Sequence, residues 1–237
     1  MLRKLDHQFM GGAVYDWLNS TYHFSYADYV NQANVNFGVL RVLNDNTIAP
    51  HSGFEACPHK DIEILTYVIS GTLTHTDSMN HTTKLVRGQM QYMSAGSGIT
   101  HREYNDGDEP LRLLEIWIMP DKKGHQPTYG TYHFDWEARH NEWLHMASDS
   151  HSDAPITLNQ DVNIYTILLD EHNTVDINVG NDRQAYLLQI EGFSEANGIA
   201  LKEKDSLEII EEHVHIEAMH ESHFIVIEMK KTHHPYM

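Results

Sequence analysis

The stretch that decides the fold runs from Phe54 to Asn105, opening with FEACPHKDIEILTYVISG (54–71) and closing with GQMQYMSAGSGITHREYN (88–105). Each end carries two potential metal ligands one residue apart: Cys57 and His59 first, then His101 and Glu103. On a strand, residues i and i+2 project to the same face, so each pair is able to enter one cavity. Two such strands side by side would offer Cys, His, His and Glu to a single ion. Between the pairs, EILTYVISGTLTH (63–75) is rich in β-branched residues and broken at Ser70-Gly71, which predicts two strands joined by a tight bend.

The same style extends outward. NFGVLRVLNDNTIAP (36–50) reads as a strand followed by an Asn-Asp-Asn turn, and LRLLEIWIMP (111–120) as an apolar strand ended by proline. Turns are expected at Ser78–His81 and at Arg87-Gly88. Residues 121 to about 155 are turn-rich and read as a connection, with one short helix expected over 134–146. Beyond it, ITLNQDVNIYTILLD (156–170), QIEGFSEANGIALKEKD (189–205) and HFIVIEM (223–229) repeat the pattern of the first half at a period of about 110 to 120 residues. Short strands with turn signals every eight to twelve residues predict an all-β sandwich or barrel.

Composition narrows the function classes. Sixteen Lys and Arg against 34 Asp and Glu leave a formal charge of −18, which disfavours direct nucleic-acid binding because phosphate contacts need a basic surface. No polybasic segment suits a membrane surface, and no run approaches the roughly 18 apolar residues of a spanning helix. The single cysteine, Cys57, allows no intrachain disulfide. With no apolar segment behind the first basic residues, a cytoplasmic location is expected. Of 19 histidines, pairs such as His213/His215 and His233/His234 stand in polar surroundings and read as surface residues.

The order of these motifs resembles the two-part cupin signature, with Gly88, Ser94-Ala95-Gly96, Gly98, His101 and Asn105 as its second part and serine in the proline position. PHKDIEILTYV, HTDSM and QYMSAGSGITHREYN, with HFSYADY and FGVLRVLND upstream, are similar to the pirin branch of bicupins. The resemblance implies two facing antiparallel jelly-roll β-barrels with a few short helices: residues 1–135 with a metal site and residues 136–237 without one. It implies one divalent transition metal, iron by family, with zinc, nickel, cobalt and manganese also compatible.

The pirin ligand pattern is H-P-H followed by H-x-E. His59, His101 and Glu103 match it, while Cys57 stands where the first histidine would be. A Cys57 thiolate ligand, an unligated thiol beside a two-His, one-carboxylate site, and a site that has lost its metal remain open. Glu63, at the position where many other cupins place a ligand, is expected to be structural or to support the ligands from behind. The implied activity is that of a quercetin 2,3-dioxygenase, opening a flavonol-like aromatic ring with dioxygen, with Glu103 as both ligand and catalytic base. The alternative is a non-enzymatic, metal- or redox-responsive pirin that binds a protein partner through its acidic surface, with Cys57 as sensor. A nucleophilic Cys57 is a third reading.

Overall fold

In a computed structural model, which describes residues 1–232, strands begin where the β-branched runs begin. His233 and His234 lie outside the described residues. The chain divides into two compact units, Gly11–Phe134 and Asp135 onward, the second also including Met1–Met10. Met1–Met10 group with the second unit and not with the residues that follow them. Leu2–Leu5 (β1) pairs antiparallel with a strand near residue 208, so sequence order and spatial membership part there.

The first unit contains β2 (Gly11–Val14), β3 (Leu18–Tyr22), β4 (Leu40–Ile48), β5 (Ser52–His59), β6 (Glu63–Ser70) and β7 (Thr72–Asp77). It continues with β8 (Thr82–Val86), β9 (Met90–Ser94), β10 (Ile99–Asn105), β11 (Leu111–Ile118) and β12 (Thr128–Tyr132). One sheet has the order β12-β9-β6-β11-β4-β3-β2 and the other β5-β10-β7-β8. The chain crosses between sheets at Gly71, whose φ of +81° suits a residue without a side chain. Leu73 and Leu85 of the smaller sheet pack on Ile48, Val68, Leu111 and Leu113 of the larger. Fully burying each such side chain contributes about 1.5–3 kcal/mol.

The second unit contains β13 (Leu144–Ser148), β14 (Ile156–Thr157), β15 (Val162–Leu169), β16 (Thr174–Asn178) and β17 (Arg183–Glu191). Then come β18 (Phe193–Ala196), β19 (Ile199–Lys202), β20 (Ser206–Ile210), β21 (His213–Ala218) and β22 (Ser222–Lys230). Its sheets run β1-β20-β17-β22-β15-β13-β14 and β16-β21-β18-β19. The smaller sheet repeats the order of its counterpart in the first unit, and Gly192, at φ +91°, takes the place of Gly71. The repeat read from the sequence is therefore a repeat of topology.

Two local expectations are corrected. Asn44-Asp45-Asn46 is not a turn but the buried middle of β4. Two of these turn-forming side chains are held there by strong partners: Arg112 grips Asp45 through Nε at 3.0 Å and Nη2 at 2.7 Å, and Ser20 donates to Asn46 at 2.5 Å. The helix expected over 134–146 shrinks to one 3-10 turn, Glu137–Arg139. Asn141 at φ +59° stops it, and Leu144 already begins a strand. Among the described residues, no helix is long and apolar enough to cross a membrane.

Candidate metal centre

Strand β10 alternates cleanly: Ile99, His101, Glu103 and Asn105 are buried, while Thr100, Arg102 and Tyr104 are half-buried on the other face. The i, i+2 reading of His101 and Glu103 therefore holds. On β5 the regularity fails. Cys57 stands opposite His101, but Phe54 rather than Glu55 stands opposite Glu103, so β5 carries one extra residue there. His59 turns inward, its ring centroid 4.8 Å from that of His101. Cys57 lines the same cavity from the rim and is exposed, with its thiol 3.9 Å from the Pro58 carbonyl oxygen.

On the other side of β10, β7 brings in a residue that the motif reading passed over. His75 lies directly opposite Glu103 in the ladder and is fully buried. Single donor atoms of His75, His101 and Glu103 all lie within 4.8 Å of one another. The His75 ring stacks on Tyr129 at 4.4 Å, and its Nε2 is 3.2 Å from Asp77 Oδ2. A usable signal was present, since His75-Thr76-Asp77 is another i, i+2 pair of ligand-type residues on a strand.

Electrostatics leave these groups ready to coordinate. Burial pushes the His59, His75 and His101 imidazoles down to about 4, so each is neutral near pH 7. Burial pushes Glu103 up to about 7, against hydrogen bonds from Thr66 Oγ1 at 2.7 Å and from Gln91. Both of those bonds fall on Oε1. Glu115, also raised to about 7 by burial and then by the Glu103 charge, accepts from Trp117 Nε1 at 2.8 Å. Thr66, Gln91 and Glu115 were not readable as site residues, because each is an ordinary strand residue until the two sheets meet.

The buried Nδ1 atoms of His75 and His101 have no hydrogen-bond partner. An unpartnered buried nitrogen costs about 1–3 kcal/mol, and a coordinated cation would remove that cost. Neutral imidazoles with a carboxylate form a donor set suited to zinc, iron, nickel or cobalt. The residues fit a divalent transition metal.

The cavity has a volume of about 180 Å³ and is walled by Tyr26, Phe54 and Trp117 as well as the ligand-type residues. A larger one, about 370 Å³, opens in the second unit beside Trp143, Tyr165, Asp176 and Glu228. Volume alone would favour it, but chemistry does not. Ile216 pairs near Ala196 on β18 as Glu103 pairs with His75 on β7, and Val214 falls two residues before, as His101 does. Ala196, Val214 and Ile216 belong to a fully buried apolar cluster. The layer that carries donors in the first unit is hydrocarbon in the second. His213 and His215 instead meet Asp176 on the surface, at 3.3 and 2.9 Å.

Comparison with known proteins agrees with this architecture. Residues 3–118 match the family model Pirin, and residues 145–229 match the quercetinase C-terminal cupin domain. A pirin-like protein of Caulobacter vibrioides is 38% identical, covering 92% of this chain and 95% of that protein. A quercetin 2,3-dioxygenase of Escherichia coli is 38% identical over 89% of this chain and 90% of its own. The crystal structure of the bacterial pirin YhhW from Escherichia coli in complex with nickel(II) superposes with a TM-score of 0.92. It has 32% identity, and the alignment covers 98% of this chain and 100% of that one.

Proposed function

The chain belongs to the pirin family of bicupins, and from that premise we propose that its first barrel binds a divalent transition metal and opens a flavonol-like aromatic ring with dioxygen. The observation that carries the reading is the convergence of two neutral imidazoles, His59 and His101, and two buried, high-pKa carboxylates, Glu103 and Glu115, on an aromatic-walled cavity. His59, His101 and Glu103 are the ligands this reading takes over from the family pattern. The names of the relatives support the substrate class.

A bound ion would supply a Lewis-acid position for the substrate hydroxyl oxygen and a route by which substrate electrons reach dioxygen. The protein supplies the rest. Trp117, Phe54 and Tyr26 present ring faces and edges to a planar substrate. At about 180 Å³, the cavity is smaller than the ~300–1,000 Å³ pockets that engulf a drug-sized ligand, so the flavonol enters by its hydroxylated edge. Glu103 takes the 3-hydroxyl proton on a carboxylate oxygen. Thr66 and Gln91 fix that carboxylate by binding Oε1. The ring-opened ester and carbon monoxide leave as products.

The test follows flavonol absorbance and dissolved oxygen together in metal-loaded protein. Both fall in parallel, and both stop after chelation. A loaded protein that leaves flavonols unchanged removes the substrate assignment.

A further inference from the structure

We propose that His75, oriented by Asp77, is the ligand that completes the metal's coordination in place of Cys57; this rests on the metal-binding reading above.

The Asp77 side chain is buried, and its Oδ1 accepts from the Met79 and His81 backbone amides at 2.8 and 3.1 Å. Its Oδ2 faces His75 Nε2 at 3.2 Å and His81 Nδ1 at 2.8 Å. A carboxylate only accepts, so the His75 proton lies on Nε2 and the lone pair lies on Nδ1. That Nδ1 is buried and has no hydrogen-bond partner. A carboxylate holding one imidazole nitrogen while the other stays bare is how metal-ligating histidines are oriented. Stacking on Tyr129 locks the ring plane. His81, on the same Asp77, stacks on Tyr129 as well, at 4.8 Å.

Position separates His75 from Cys57. His75, His101 and Glu103 offer donor atoms within 4.8 Å of one another, so a small inward adjustment brings them to the spacing of ligands about 2.1 Å from a shared ion. The Cys57 thiol stands at the exposed rim and belongs to no such group among the described residues. His59 is also outside that group, but its ring lies 4.8 Å from that of His101 in the same cavity, so the donor set is His59, His75, His101 and Glu103: three imidazoles and a carboxylate, with no sulfur. Tyr129 also donates to Gln91 Oε1 at 3.2 Å, and Gln91 donates to Glu103, so one hydrogen-bonded group steadies both new and old ligands.

The experiment titrates metal-free protein with cobalt(II). It reads the dissociation constant and the near-ultraviolet thiolate-to-cobalt charge-transfer band, with X-ray absorption on the wild-type complex. The expected result is no sulfur band, no sulfur neighbour at ~2.3 Å, and Cys57→Ala binding like wild type. His75→Ala and Asp77→Asn weaken binding roughly 10–100-fold. A sulfur band in the wild-type complex overturns the inference without any variant needing to fold, and so does unchanged affinity in folded His75→Ala. In both cases the metal site itself stands. Wild-type protein that takes up no cobalt, nickel or iron overturns the inference and the proposed function together.

Discussion

His75 and Glu103 face each other across the β7–β10 ladder, one anchored outward to Asp77 at 3.2 Å and the other inward to Thr66 at 2.7 Å. Both sheets of the barrel therefore hold the same small group of donors. The consequences are open to measurement.

Glu103→Gln keeps the volume and the contacts to Thr66 and Gln91 but removes the charge and the base. We expect loss of bound metal and at least a ~100-fold fall in kcat/KM for flavonol, the lower end of what a positioned general base contributes. Elemental analysis beside steady-state kinetics checks it. Full activity in the variant would take Glu103 out of the mechanism.

Acid stability carries a second signature. Burial holds His59, His75 and His101 at about 4, against an ordinary 6.5. Between those values the unfolded chain binds protons that the folded chain refuses. Their contribution is thus complete above about pH 6.5 and is lost as pH falls towards 4. Glu103 and Glu115 act oppositely, since values of about 7 against 4.5 make the folded chain the better proton acceptor. Removing one of these offsetting carboxyls in metal-free Glu103→Gln steepens the fall in unfolding free energy between pH 6.5 and 4.5 by about one proton, ~1.4 kcal/mol per pH unit. Urea titrations across that window decide it; parallel slopes contradict the assignment.

Gly192→Ala tests the corner between the sheets of the second unit. Its φ is +91°, and an added Cβ would stand 2.1 Å from the Glu221 carbonyl oxygen. Backbone, not a flexible side chain, is in the way. A loss of about 2 kcal/mol or more is expected in chemical denaturation. Gly198→Ala is the control, because nothing lies within 4 Å of its added Cβ, leaving only the strain of φ +80°.

Asp45→Ala leaves the Arg112 guanidinium, only 14% exposed, without its bidentate carboxylate. Breaking such a pair from one side costs about 3–5 kcal/mol. Asp45→Asn retains an acceptor for Arg112 and should lose less. Equal losses in both variants would mean that charge plays no part.

Cys57→Ser should change stability by no more than ~0.5 kcal/mol, because the side chain is exposed and unbonded apart from a weak contact. The wild-type thiol should react with a disulfide reagent at the same rate before and after metal loading. Protection by metal would place sulfur on the ion.

Much of the barrel was legible in the linear chain. Alternation in ITHREYN and the break at Ser70-Gly71 are local properties, and they set strands, corners and the inward direction of His101 and Glu103. The turn residues of Asn44-Asp45-Asn46 misled for a physical reason. Their local preference is outweighed by partners 26 and 67 residues away, Ser20 and Arg112. N-terminal strand β1 is likewise placed by pairing with residues about 200 positions on.

The sequence by itself determined that two ligand pairs stand on strands and that one member of the first pair is a sulfur. Only tertiary structure decided which donors converge. Cys57, although paired with His101, stays exposed at the rim, while the β7–β10 register carries His75 against Glu103. Side-chain alternation is encoded residue by residue, but register and bulges are set by how whole strands pack, and ligand geometry depends on both.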